Sequence, residues 1–333
     1  MPNSDEKSTK LVRWVTIDEE YAGQRIDNFL LAQLKGLPRS RIYSMVRKGE
    51  VRVNKGRIKA NYRIAAGDSI RIPPVRVAER TEPNVPSRLI DELESSILYE
   101  DDRLLVLNKP SGVAVHGGSG LSWGVIEALR ASKVKRHYLE LVHRIDRDTS
   151  GCLMLAKRRS ALRTLHEQLR TSSGDCGESG IKKRYLALVK GRWPKADKRI
   201  TYPLRKNTLK SGERLVRVTD DGKEAISLFE THKRFAQATL MQVDVITGRT
   251  HQIRVHAAHH GFPLACDDKY GDAEFDAELK KMGLKRLFLH ASELNLVHPY
   301  TNEKLQIRAP LPKMLKQILE RLDNNQEWHK NEC

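Results

Sequence analysis

The chain has 333 residues, 39% of them apolar, with 60 Lys and Arg against 42 Asp and Glu, a formal net charge of +18. That length and apolar content allow two domains with folded cores and argue against wholesale disorder. No run approaches the roughly 20 apolar residues of a membrane span, and MPNSDEKSTK lacks the apolar stretch of a secretory leader, so a cytoplasmic location with no membrane partner is expected. The four cysteines, Cys152, Cys176, Cys266 and Cys333, form no C-x-x-C pair, which argues against zinc fingers, iron–sulfur clusters and disulfide scaffolds.

The charge is concentrated. Residues Arg39 to Arg76 hold eleven Lys and Arg against two acids, and Lys182 to Arg217 hold thirteen against two. The rest of the chain is close to neutral. Solubility alone does not require such clustering, whereas a polyphosphate partner does. An acidic membrane surface fits less well, because no amphipathic helix with a large apolar face accompanies the charge.

Residues 1–18 read as a tail leading into a short strand. Ile26, Phe29, Leu30 and Leu34 have helical spacing, and Gly36 stops that helix. Ile42, Met45 and Val46 mark a second helix with Arg39, Arg41, Arg47 and Lys48 on its exposed side, ended by Gly49. VRVN is a strand, Asn54-Lys55-Gly56 a turn, and SIRI another strand. Residues 19–75 are thus expected to form a small α/β domain with one basic face. Pro73, Pro74, Pro83 and Pro86 suggest an extended linker over 76–96. From 97 to 325 the pattern predicts an α+β domain, a mixed and mostly antiparallel sheet with flanking helices, and 326–333 a C-terminal tail. The expected strands include 152–156, 184–190, 238–247, 286–298 and 304–310, and the expected helices 122–130, 159–170, 251–260 and 312–322.

Three motifs could carry chemistry. His143-Arg144-Ile145-Asp146-Arg147-Asp148-Thr149-Ser150-Gly151 precedes an apolar strand. Asp148 to Gly151 read as a turn with Gly151 at positive φ. Arg144 and Asp146, two apart, would share an orientation in an extended loop. Thr247-Gly248-Arg249-Thr250-His251 reads as a strand end, a turn and a helix start. His251 and His256 are five apart, which does not match helical metal-ligand spacing, so no metal site is expected. Lys183-Arg184-Tyr185 opens a strand, where a lone Tyr is more often core than catalytic.

HRIDRDTSG, KRYLALVKG and TGRTHQIRVHAAHHGFPLACDDKYG resemble the three motifs of the RluA-type pseudouridine synthase family, which includes enzymes of large-subunit rRNA and tRNA. RIDNFL, SRIYSMVRKGEVRVN and AGDSIRI resemble the S4-type RNA-binding domain. This resemblance implies isomerisation of uridine to pseudouridine in 23S rRNA or a large-subunit precursor. Nothing in the sequence suggests an obligate interface, so a monomer is expected. That reaction has no net redox change or group transfer, so no cofactor is expected. The resemblance implies that Asp146 acts on the sugar, that Arg249 is its guanidinium partner, and that Tyr185 stacks on the flipped base. It also implies that Arg144 fills the gap in the RNA and that Lys183 and Arg184 hold phosphates. In the S4-like domain the candidate RNA contacts are Arg39, Arg41, Arg47, Lys48, Arg52 and Lys55.

Overall fold

A computed structural model describes residues 11–34, 36–75, 84–118, 121–171, 180–208 and 214–324, and the chain divides after Asn84 into two units. In the first, strand β1 (Arg13–Thr16) precedes helices α1 (Ile26–Gln33) and α2 (Arg39–Arg47). Strands β2 (Arg52–Val53) and β3 (Ser69–Ile72) follow, and the antiparallel order is β1-β3-β2. Ile26, Phe29 and Leu30 of α1 pack with Ile42, Met45 and Val46 of α2 against Val53, Ile70 and Ile72. The predicted spacing therefore sets the buried side, and on α2 the arginines take the other. Asn54 and Lys55 take positive φ, 48° and 68°, in the expected turn.

The second unit begins before the predicted boundary. Residues 76–96 were expected to be extended; of these, 76–83 lie outside the described residues, and Ser87–Ser95 form helix α3. Pro86 caps that helix rather than breaking it, since a proline at a helix start gives up no needed N–H. Leu89 and Leu93 fix α3 to the second unit's core.

Strands β4 (Ile97–Glu100) and β5 (Leu104–Lys109) form a hairpin, followed by α4 (Val125–Arg130), β6 (Glu140–Leu141), β7 (Ser150–Ala156) and α5 (Arg159–Thr171). Next come β8 (Lys182–Lys190), β9 (Arg199–Ile200), the hairpin of β10 (Leu204–Thr208) and β11 (Arg214–Val218), and then β12 (Ser227–Arg234) and β13 (Ala238–Val245). Helices α6 (Gln252–His259) and α7 (Ala273–Lys281), strands β14 (Leu289–Val297) and β15 (Lys304–Arg308), and helix α8 (Lys313–Asn324) complete it. The main sheet runs β4-β5-β7-β14-β8-β13-β12-β9, with β15 on β14 and β6 on β7. All its pairs are antiparallel except β14 with β7, so the sheet is mixed and mostly antiparallel as expected.

Both faces are covered. On β5, Leu104 and Val106 enter one cluster with Met154 and Leu165, while Leu105 and Leu107 enter another with Leu93, Leu129 and Leu153. Period-two alternation thus feeds two cores from one strand. Ala291 of β14 lies in register between Gly151 of β7 and Tyr185 of β8.

Candidate active site

Asp146 stands on the loop that enters β7. Ile145 anchors this loop in the core with Leu105, Leu107 and Leu153. Its neighbours Arg144 and Asp146 are exposed and half-buried, so the side chains flanking Ile145 stay outside the core. Two basic side chains, a buried lysine and a half-buried arginine, hold the loop backbone. The Lys109 ammonium donates to the carbonyls of Pro110, Val113 and Arg147 at 2.7, 2.8 and 2.9 Å. Burial pushes this lysine down to about 7. Arg286 donates to the Asp148 carbonyl at 3.3 Å and to Ser150 Oγ at 3.0 Å. Gly151 has φ +107°, and a Cβ there would lie 2.2 Å from the Ala291 carbonyl oxygen, so only glycine lets β7 approach β14.

The cation facing Asp146 is Arg254, whose Nη1 is 3.6 Å from Oδ2; His251 Nε2 is 3.9 Å from the same oxygen. Arg254 lies on the first turn of α6, and His251 is the residue that caps its start. Arg254 is almost wholly buried. Its Nε and Nη2 bind Asp267 at 2.7 and 2.6 Å, and Nη2 also meets Asp268 at 2.9 Å. These carboxylates raise the guanidinium above its ordinary value against the cost of burial, so it stays charged. Tyr185 lies in the core under the site. Burial first, then the nearby Asp146, pushes its phenol well above the ordinary value and keeps it protonated.

Residues 103–259 match the family model for RNA pseudouridylate synthase, and residues 24–70 that for the S4 domain. The ribosomal large subunit pseudouridine synthase C of Yersinia pestis is 57% identical over 317 residues, 95% of this chain and 97% of that protein. The protein of the same name from Escherichia coli K12 is 57% identical over 320 residues, covering 95% and 98%. The chain belongs to the RNA pseudouridylate synthase family. Among solved structures, human RNA pseudouridylate synthase domain containing 4 superposes with a TM-score of 0.55 at 26% identity, covering 71% of this chain and 96% of that one. The human domain-containing 1 protein, at 21% identity and a TM-score of 0.52, shares the fold.

The structure corrects two of the predicted roles in this synthase. Arg249 does not face Asp146: it is exposed in the turn before α6, and its Nε donates to the Glu224 carbonyl at 2.9 Å. The guanidinium partner is Arg254, five residues on. Arg184 is not free for phosphate. It points to the opposite face of β8 from Tyr185, paired with Asp244 at 2.9 Å and with Glu293 at 3.6 Å. Glu293 also holds Arg308 at 2.8 Å, so Asp244, Arg184, Glu293 and Arg308 form a row of alternating charge across four strands. Lys183, on the Tyr185 side, is buried beside Gly248, and burial pushes it down to about 8.

His143 is structural: its Nε2 accepts the Met154 N–H at 3.1 Å. Arg39, Arg41, Arg47, Lys48, Arg52 and Lys55 are all exposed in the S4-type unit, and Arg41 is paired with Glu50 at 3.0 Å. Sequence reasoning missed Arg254, His251, Lys109 and Arg286. The helix expected from residue 251 held the signal for the first two, because it placed them on one face. Among the described residues no cluster of His, Cys, Asp and Glu fit for a metal occurs, and no helix is long and apolar enough to cross a membrane.

Proposed function

We propose that this synthase converts uridine to pseudouridine in large-subunit ribosomal RNA, the 23S rRNA or its precursor particle, with Asp146 as the acting carboxylate. The observation that carries the reading is the setting of Asp146. A permanently charged guanidinium faces Oδ2, and among the described residues no hydrogen bond occupies either side-chain oxygen, so the lone pairs stay available to a sugar. The relatives' name, ribosomal large subunit pseudouridine synthase C, supports the choice of RNA.

The reaction breaks N1–C1′ with its electron pair passing to the uracil ring, then joins C5 to C1′. C5 loses a proton and N1 gains one. Asp146 assists by attack at C1′ or by taking the C2′ proton; in either case Arg254 keeps an anion facing the ribose. A uridine in folded RNA must first leave its stack. Arg144 is exposed and two residues from Asp146, where it can fill the vacated space. Tyr185 supplies an aromatic ring for the base, and Lys183 a cation for the nucleotide's polar groups. The exposed cations of the S4-type unit add a grip on the RNA backbone.

The test is tritium release from 23S transcript labelled at uridine C5, with wild type beside Asp146→Ala. Release by wild type alone is expected. RNA binding without release, on naked RNA and on precursor particles alike, overturns the reading in favour of a non-enzymatic assembly role.

A further inference from the structure

His251 combines a left-handed backbone with an imidazole whose two nitrogens face different groups. Its φ is 54°, a conformation that non-glycine residues hold only where their surroundings fix it. Nδ1 lies 2.9 Å from Tyr270 Oη, and the same Oη accepts the Val216 N–H at 2.9 Å. The Tyr270 hydroxyl still has one proton to give, and Nδ1 lies within its reach. With that donation the imidazole proton sits on Nε2, the nitrogen 3.9 Å from Asp146 Oδ2.

We propose that His251 is a positioning residue of the synthase: Tyr270 fixes its Nε2–H tautomer, and that N–H turns one oxygen of Asp146 so that the other meets the ribose. The inference rests on the reading of Asp146 given above. The gap of 3.9 Å is longer than a hydrogen bond, and it closes when substrate fills the site, as contacts in empty catalytic sites commonly do. Arg254 supplies charge to Asp146, and His251 supplies direction. A chain of contacts from the backbone of β11 through Tyr270 sets that direction.

The arrangement works only while His251 is neutral. The charged and titratable groups around it are Asp146 from the loop before β7, Arg254 from its own helix, and Asp267, Lys269 and Tyr270 from the segment after α6. Burial, Arg254 and Lys269 hold the imidazole below its ordinary value, against the pull of Asp146 and Asp267. An imidazolium would lock Asp146 in an ion pair and withdraw it from the sugar. Turnover therefore falls as pH drops through the His251 titration.

Three variants test this by single-turnover tritium release across pH, with a thermal melt of each. His251→Phe should lower the rate about 10- to 100-fold without raising KM for the RNA. His251→Gln, whose amide N–H can reach the same oxygen, should recover most of that loss and show no acid limb from residue 251. Tyr270→Phe keeps the ring beside Arg254 but removes the proton given to Nδ1. Its acid limb should move up by about one pH unit, the size of one ordinary hydrogen bond. A His251→Gln enzyme as slow as His251→Phe, or a Tyr270→Phe profile that superposes on wild type, overturns the inference. Asp146→Ala runs in parallel: release by that variant would instead bring down the assignment of Asp146 itself.

Discussion

Arg254 meets Asp146 at the far end of a guanidinium that Asp267 already holds. Nη1 is 3.6 Å from Asp146 Oδ2, while Nε and Nη2 form a two-pronged contact with Asp267 at 2.7 and 2.6 Å. The Asp267 side chain is fully buried and the Asp146 side chain is partly open. One carboxylate thus fixes the cation, and the other lies beside it with its oxygens open among the described residues.

Replacing Arg254 should separate the two jobs. Arg254→Lys keeps a charge but loses the fork, and kcat should fall about 100-fold or more. Arg254→Ala additionally strands the Asp267 carboxylate and should cost about 3–5 kcal/mol of stability. Arg249→Ala should leave kcat near wild type. Steady-state tritium release and denaturant unfolding read both quantities, and a larger kcat loss in Arg249→Ala would reverse the assignment.

Arg184 should behave as a strand-pairing residue. Its side chain is about a third exposed, so Arg184→Ala should cost only about 1 kcal/mol, with no change in the salt dependence of RNA binding. Lys48→Ala or Arg39→Ala, if those cations meet phosphates, should each lower the salt slope by about one. Filter binding over a salt series separates the cases.

Gly151→Ala tests the close passage of β7 beside β14. The added methyl would meet the Ala291 carbonyl at 2.2 Å in a backbone of φ +107°, a double penalty. A loss of about 3 kcal/mol or more is expected in urea unfolding. A variant as stable as wild type would show that the strands can part without cost.

Acid should weaken the fold before it protonates most carboxylates. Burial pushes His143 down to about 3, and His256 and His290 to about 4. His256 and His290 each place one ring nitrogen near a serine oxygen and the other near a backbone carbonyl, which suits a neutral ring. In the unfolded chain all three titrate near 6.5. Their folded values are depressed, so the stability they support is whole above pH 6.5 and is lost as pH falls toward the folded values. Between pH 6.5 and 5.5 the loss should be about 3 kcal/mol for three sites. Urea midpoints at the two pH values check this, and an unchanged midpoint refutes it.

Local pattern made much of this molecule legible. Ile42, Met45 and Val46 disclose α2 and its basic outer side, and the apolar run 152–156 discloses β7, buried on both faces. Helix α3 was hidden because four prolines outweighed the helical spacing of Leu89 and Leu93, although Pro86 sits where a helix tolerates it. The Asp146–Arg254 pair was hidden for another reason. TGRTHQIR offers two arginines, and choosing between them needs the turn that points Arg249 toward Glu224 and the helix that points Arg254 inward. Arg184 looked like a phosphate ligand because its partners, Asp244 and Glu293, come from strands far along the chain.

Strand β14 separates β7 from β8 in the sheet, yet it begins 99 residues after β8 ends and later still after β7. A chain emerging during synthesis can build the Asp146 loop and the Tyr185 strand early, but it has nothing to seat between them until Ala291 arrives. The candidate site is completed by a strand made well after the two it joins. A nascent or truncated chain that ends before β14 therefore holds the Asp146 loop and the Tyr185 strand without the strand that joins them, and should lack activity.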